Sequence, residues 1–457
     1  MKKHSQTRSS FSGKIGFVLS AAGASVGLGN IWRFPYLAAK YGGGIFLLIY
    51  ILLALTFGYT MIVAETAIGR MTKKSPVGAF HTFGSSKWLS FGGWINAIIP
   101  LLIVPYYSVI GGWVIKYLLG YIQGNSQLLA KDGYFTDFIS NGLSTELCFL
   151  AFALLTIIII YAGVRNGIER VSKFMMPILV VLSIVITIYS VTRPGALAGV
   201  KYFLVPNVRN FSWMTVVAAM GQMFYSLSIA MGILITFGSY MKNDVAIENA
   251  TENVEIFDTA IAIMAGLMII PAVFAFSGGD PEALQAGPSL MFITIPKMFA
   301  SMGFSTGIGI LFFLLVLFAA VTSSIALTES AVSTFEDELG WTRKKATIVV
   351  GIIIILLGSL SSLGYGPLAG IKLIGMQFLD FFDFLTNSVM MPIAAIATCL
   401  LVSKVAGIKA IEDEVLKGES KFRRKKIFCF MMQYLCPIFA AIILISSIAN
   451  AFGWISI

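Results

Sequence analysis

The chain has 457 residues, of which 57% are hydrophobic and 12% charged, with a formal net charge of +10. Soluble domains hold about a quarter charged residues. With a mean hydropathy of +0.87, the composition therefore excludes a soluble globular protein and defines an all-α integral membrane protein.

Apolar runs reach the roughly 20 residues that cross a bilayer. They predict eleven spans, near 14–38, 44–69, 89–121, 145–163, 171–191, 213–240, 256–276, 307–335, 347–364, 373–402 and 427–453. Met1 to Ser10 is short, basic and polar, and no cleavage site follows a suitable apolar stretch, so no removable signal peptide is expected.

The first span is interrupted by Gly23-Ala24-Ser25-Val26-Gly27-Leu28-Gly29-Asn30 and continues into Ile31-Trp32-Arg33-Phe34-Pro35. Each glycine costs a helix roughly 1 kcal/mol relative to Ala. Apolar sequence flanks both sides, so backbone unwinds at membrane depth. Such backbone survives only where it is buried in protein or lines a cavity.

The sixth span repeats the pattern: Gly221, Gln222, Ser226, Ser228 and Gly232 sit mid-membrane. Small and hydroxyl residues in a span also serve helix packing, and position separates the two readings. Spans 1 and 6 open two sets of five, and an odd number of spans inverts the second set. Interrupted helices at matching places of inverted halves point to a transporter binding site.

Lys and Arg gather at alternate loops: Lys2, Lys3 and Arg8; Arg70, Lys73 and Lys74; Arg165, Arg170 and Lys173; Lys242; Arg343 to Lys345; and Lys417 to Lys426. The positive-inside rule places the N-terminus in the cytoplasm. Eleven spans then put the C-terminus outside the cell membrane. The charge is topological, and no nucleic-acid partner is expected. Between the spans, 122–143, 192–212 and 277–306 are rich in Gly, Pro and polar residues and are expected to cap the outer face. The stretch from Pro281 to Pro296 is expected to form a re-entrant hairpin. Cys148, Cys399, Cys429 and Cys436 make no C-x-x-C pair and read as packing residues.

The chain resembles the neurotransmitter:sodium symporters, in particular bacterial amino-acid members with eleven spans. The resemblance covers nearly the whole chain. It rests on Gly27-Leu28-Gly29-Asn30-Ile31-Trp32-Arg33-Phe34-Pro35, Gly42-Gly43-Gly44, Glu65 with Gly69-Arg70, Gly221-Gln222, Ser239-Tyr240, and Thr322-Ser323-Ser324 followed by Phe335-Glu336-Asp337-Glu338-Leu339. It implies a single transporter domain over 1–457, with a first repeat near 11–191, an inverted repeat near 213–402 and an additional helix at 427–453. It also implies sodium-driven amino-acid symport by alternating access. No nucleophile–base pair, phosphate loop or metal cluster supports an enzyme. A non-transporting amino-acid sensor or a channel is the competing reading, and no oligomeric state is assigned.

The resemblance further implies two sodium ions. One would be held by the carbonyl of Ser25, the side chains of Asn30, Ser226 and Asp258, and the substrate carboxylate. The other would use the carbonyls of Gly23, Val26 and Ala319 with the hydroxyls of Thr322 and Ser323. Back-bonding of these hydroxyls to the preceding turn is the alternative. Asp258 stands where most of the family has Asn. A carboxylate in a membrane is a functional hypothesis by default, and Asp258 reads as a built-in substitute for chloride and a candidate proton carrier.

The substrate carboxylate would meet the N–H groups of Leu28 and Gly29 at a half-helix N-terminus and the hydroxyl of Tyr107. Relatives that carry monoamines have an aspartate where this chain has Gly27, so the substrate is expected to bring its own carboxylate. Ala24, Ile103, Tyr225, Ser228, Met231 and Leu327 would line the side-chain pocket, with Ser25, Ser226 and Ser323 at its polar edge. Met231 is adaptable, which favours apolar amino acids, aromatic ones included.

Arg33 with Asp383 would form the outer gate, with Asp380 as the next candidate, and Tyr107 and Tyr225 an inner lid. Arg8 with Asp337, near Ser239 and Tyr240, would close the cytoplasmic end, with Phe11 packed against the bundle. Gly167 and Pro177 would let the fifth span unwind and admit water to the second sodium site.

Overall fold

The computed structural model describes residues 9–278, 287–451 and 453–454, and these form helices and connecting turns with no strands among them. The long elements are α1 (Lys14–Ser25) with α2 (Gly29–Lys40), α3 (Gly44–Thr72), α4 (Lys87–Ile122), α5 (Gly142–Tyr161) and α6 (Val164–Val191). They continue as α7 (Trp213–Ser226), α8 (Ile233–Ser239), α9 (Ile247–Ser277), α10 (Ser305–Leu339), α11 (Arg343–Leu363), α12 (Phe378–Ala406) and α13 (Lys425–Asn450). Nine helices among the described residues are long and apolar enough to cross a bilayer, and the α1–α2 pair, bent by 53°, is a tenth candidate. The sixth expected span consists of α7 and α8, two short halves separated by residues 227–232. By length and apolarity the described helices give nine to ten candidate spans; α7 and α8, 14 and 7 residues long, fall short of a crossing length separately.

The breaks fall where the glycines and hydroxyls sit. Past α7, Ser228, Ala230 and Gly232 adopt φ values of 53°, 60° and 69°. Left-handed backbone of this kind is strained for Ser and Ala and ends the helix in mid-span. The two broken helices touch crosswise: α1 packs on α8, and α2 on α7. Around them α4 and α10 pack extensively on each other and α10 also lies against α1, which gives the breaks a rigid wall.

Several boundaries and one connection differ from expectation. α9 begins at Ile247 rather than near 256. Its first turns carry Glu248, Glu252 and Glu255, which depress hydropathy yet are neutralised by Arg423 and Arg424. α12 begins at Phe378 rather than 373, because Leu373 and Met376 pair as a small turn. Of the expected re-entrant hairpin, residues 279–286 lie outside the described residues. The rest forms the short helix Leu290–Ser301, whose Phe292 is buried against Trp113, Tyr117 and Phe313.

The glycine turn between α2 and α3 has a steric cause. Gly42 and Gly43 have φ of 99° and 60°, and a Cβ at Gly43 would lie 2.2 Å from the carbonyl oxygen of Tyr202. The helix Ala196–Leu204 lies against this turn and packs on α9 and the start of α3.

Candidate functional site

The break between α1 and α2 frees carbonyls that other helices take up. Ser323 of α10 directs its hydroxyl at the carbonyls of Gly23 (3.2 Å), Ala24 (3.1 Å) and Val26 (3.4 Å). Ser228 donates to Ala24 O at 3.1 Å, and the amide of Gln222 donates to Gly29 O at 3.1 Å. On the opposite side, the Leu28 N–H donates to the Tyr107 hydroxyl at 3.2 Å. Two of the three groups expected to meet a carboxylate, the Leu28 N–H and the Tyr107 hydroxyl, are therefore adjacent.

A second polar cluster lies behind the break. Asp258 of α9 is fully buried and accepts from Asn30 Nδ2 (2.8 Å), Ser226 Oγ (2.9 and 3.0 Å) and Tyr50 Oη (3.2 Å). Ser226 also lies 3.2 Å from the Asn30 carbonyl oxygen. Its partners are all neutral donors, with no cation among the described residues. These are hard oxygens and one carboxylate, the donor set a sodium ion takes. Ser25 turns its own hydroxyl back to Ala21 O at 3.2 Å, which leaves its carbonyl for other partners. Thr322 likewise bonds back to Phe318 O (2.9 Å) and Ala319 O (3.2 Å), while its Cβ packs beside Gly23.

Between the two breaks lies a cavity of about 30 Å³. It gathers every residue expected to touch the substrate except Ser226, and adds Gly27 and Asn30. Ser226 instead faces Asp258. The polar atoms stand at the α1–α2 side, while Ile103, Met231 and Leu327 supply an apolar end. Two glycines are sterically required here. A Cβ on Gly29 would lie 2.4 Å from the Tyr225 ring, and one on Gly27 would lie 2.8 Å from Ser323 Oγ and 3.0 Å from Tyr107 Oη.

Of the gate residues, Arg33 lies over the Tyr225 ring, 5.4 Å from its centroid. Asp383 accepts from Tyr106 Oη at 3.2 Å and from Asn387 Nδ2 at 2.6 Å. No ion pair joins Arg33 to Asp383 among the described residues: Arg33 meets Tyr225, and Asp383 meets Tyr106 and Asn387. Asp380 accepts from Tyr365 at 3.1 Å. At the basic-loop end, Asp337 accepts the Ser75 N–H at 2.6 Å, and Tyr240 donates to Glu329 at 2.6 Å. Arg8, the expected partner of Asp337, lies outside the described residues. Phe11 sits among the rings of Phe17, Phe237 and Tyr240. Gly167 lies in a widened helical turn, Val164–Glu169, at the start of α6, and Pro177 is inside that helix.

Sequence reasoning missed several members of these clusters. Tyr50 is buried on α3 and holds both Asp258 and Ser226. A tyrosine inside an apolar span needs a partner for its hydroxyl, and that was the available signal. Glu329 pairs with Arg343 at 2.6 Å, and Glu169 accepts from the backbone of Ser12 at 2.9 Å. Both carboxylates look like ordinary loop-proximal charge in the sequence.

Two helices broken at mid-span, freed carbonyls, and a cavity between them define a multi-pass membrane transporter. The family model for the sodium:neurotransmitter symporter family matches residues 8–129 and 136–453, and the chain belongs to that family. It is 34% identical over 447 residues to an uncharacterized sodium-dependent transporter, YhdH, of Bacillus subtilis, covering 97% of each chain. It is 26% identical to the human sodium- and chloride-dependent GABA transporter 2, over 89% of this chain and 75% of that one. The crystal structure of MhsT in complex with L-phenylalanine superposes with a TM-score of 0.86 at 36% identity, covering 96% of this chain and 100% of that one. The protein is accordingly a sodium-dependent transporter and not an enzyme.

Proposed function

We propose that this transporter imports apolar amino acids, aromatic ones included, with sodium and without chloride, by alternating access. The observation that carries the reading is the two-ended cavity. Leu28 N–H and Tyr107 offer donors for a carboxylate at one end, and Ile103, Met231 and Leu327 offer no charge at the other. The L-phenylalanine in the MhsT complex supports a substrate of this class. At about 30 Å³ the cavity is small, and a large side chain enters by displacement of flexible Met231.

Two sodium ions travel with the substrate. The first takes the Ser25 carbonyl, Asn30, Ser226 and Asp258. The second takes the carbonyls of Gly23, Val26 and Ala319 with Thr322 and Ser323, once those hydroxyls turn from the carbonyls they now meet. Asp258 supplies within the protein the negative charge that an external anion would otherwise bring. Arg33, Tyr225 and Asp383 close the outer side, and Arg8, Asp337 and Tyr240 the inner side. Residues 11–191 and 213–402 act as inverted repeats, with 427–453 outside them. The chain sits in the cell membrane with its N-terminus in the cytoplasm and its C-terminus outside.

Uptake of labelled L-phenylalanine into proteoliposomes tests this. Accumulation driven by an inward sodium gradient, unchanged when chloride is replaced by gluconate, is the expected result. Binding without accumulation would favour the sensor, and flux that never exceeds equilibrium would favour the channel.

A further inference from the structure

Glu65 lies in the middle of α3 with 0% of its surface exposed. One carboxyl oxygen accepts the Ala230 N–H at 2.8 Å. The other, Oε2, has no hydrogen-bond partner among the described residues, and no charged neighbour acts on the group. Asp258, a second carboxyl buried beside the broken helices, has three side-chain donors. An ion removed from water is very costly unless several donors or a counter-charge replace its hydration. A neutral acid leaves only one O–H to satisfy, which costs far less. One donor therefore suits a neutral Glu65, whereas three suit an ionised Asp258.

The surroundings offer no hidden counter-charge. The half of α3 that carries Glu65, Tyr59–Thr72, packs against α8, α9, α13 and the short helices Pro76–Thr82 and Ile408–Val415. α8 carries no titratable group. On α9, Glu248 accepts from Tyr59 of α3 and from the backbone of Arg423 and Arg424, and Glu252 and Glu255 pair with Arg424. On Ile408–Val415, Glu414 pairs with Arg70 of α3, and Glu412 with Lys425 of α13. Lys409, Asp413, His81, Lys426 and Tyr434 are exposed. The α13 thiols of Cys429 and Cys436 are neutral groups that bring no positive charge.

The single donor is itself on a strained link. Ala230 has φ of 60° within the strained link of residues 227–232 that joins the halves of the sixth span. Any rearrangement of that link changes the hydrogen bonding of Glu65.

We propose that Glu65 is a proton-binding site of the transport cycle: it is the neutral acid in the arrangement seen here, and it releases its proton to water when residues 227–232 rearrange. The proton is taken from water by the carboxylate on the return, so no other reactant is needed. The proposal rests on the reading of the chain as a transporter, and its first test does not require transport.

Infrared spectroscopy of the purified full-length protein at neutral pH should show the carbonyl band of a buried, protonated carboxylic acid, lost in Glu65→Gln. Absence of such a band from the wild type, or its persistence unchanged in Glu65→Gln, overturns the proposal. If the Gln variant does not fold, Glu65→Asp should shift the band, and an unshifted band is equally fatal. In proteoliposomes carrying a pH dye, sodium-driven L-phenylalanine uptake by the wild type should vary several-fold with pH and move protons. Glu65→Gln, which can still accept the Ala230 N–H, should transport with a flat pH profile and no proton movement. A purely structural acceptor would instead give equal pH profiles in the two proteins, and that result overturns the proposal. Failure of wild-type uptake with the band intact would count against L-phenylalanine transport alone.

Discussion

At Gly29 the absence of one methyl group decides whether the pocket can close. A Cβ there would stand 2.4 Å from the Tyr225 ring, over which the Arg33 guanidinium lies. Overpacking of this kind costs about 1–3 kcal/mol, and the lower end of that range read as affinity is roughly fivefold. Gly29→Ala is therefore expected to weaken sodium-dependent phenylalanine binding by at least about that factor, measured by scintillation proximity with the purified protein. Gly27 acquires a second meaning in the same way. Its missing side chain was legible as the absence of a carboxylate, and the close approach of Ser323 and Tyr107 adds a packing reason the sequence does not display. Asp258 could be singled out as a charge in an apolar span, but its partners could not. Asn30 and Ser226 come from two broken helices and stand 196 residues apart in the sequence, and Tyr50 comes from a third helix. Asp258→Asn keeps the shape and removes the charge. It should weaken sodium affinity and make uptake respond to chloride, and unchanged uptake in both media would remove the assigned role.

At the scale of elements, the start of α6 carries two opposing effects. Pro177 removes a hydrogen bond inside the helix and weakens it by about 3 kcal/mol or more. Gly167 loosens the first turn, yet a Cβ there would lie only 2.0 Å from the carbonyl of Ile159. Gly167→Ala thus strains the folded turn as well as stiffening it. Pro177→Ala is the cleaner variant: it should raise the melting temperature slightly and slow sodium release, followed by stopped-flow fluorescence. Normal release in both variants would discard local unwinding as the path for water. The pattern of breaks in α1–α2 and α7–α8 was readable from glycines and hydroxyls in apolar sequence. The extension of α9 back to Ile247 was not, because three glutamates mask a helix whose charges are balanced by arginines of the distant 423–424 segment.

Across the whole molecule, long-range ties differ in strength according to exposure. Lys297, in the helix Leu290–Ser301, pairs with Asp132 of the α4–α5 connection at the solvent-exposed surface. The lysine beside it holds the Asp132 carboxyl below the usual carboxylate range. A lowered acid stabilises the fold above its unfolded pKa and loses that contribution as pH falls through the folded one. Any difference in thermal stability between wild type and Lys297→Ala should therefore be present at neutral pH and vanish in acid. It should also be small, since exposed pairs contribute little. The sequence by itself determined the helical membrane class, the two broken spans and the residues that meet at their breaks. These follow from hydropathy, glycine placement and polar groups in apolar runs, all of which act locally. Only the tertiary structure decided which carboxyls are ringed by donors and which are left with one, as Asp258 and Glu65 demonstrate. Those partners lie on separate helices, and the energy of a buried charge depends on everything packed around it rather than on its neighbours in the chain.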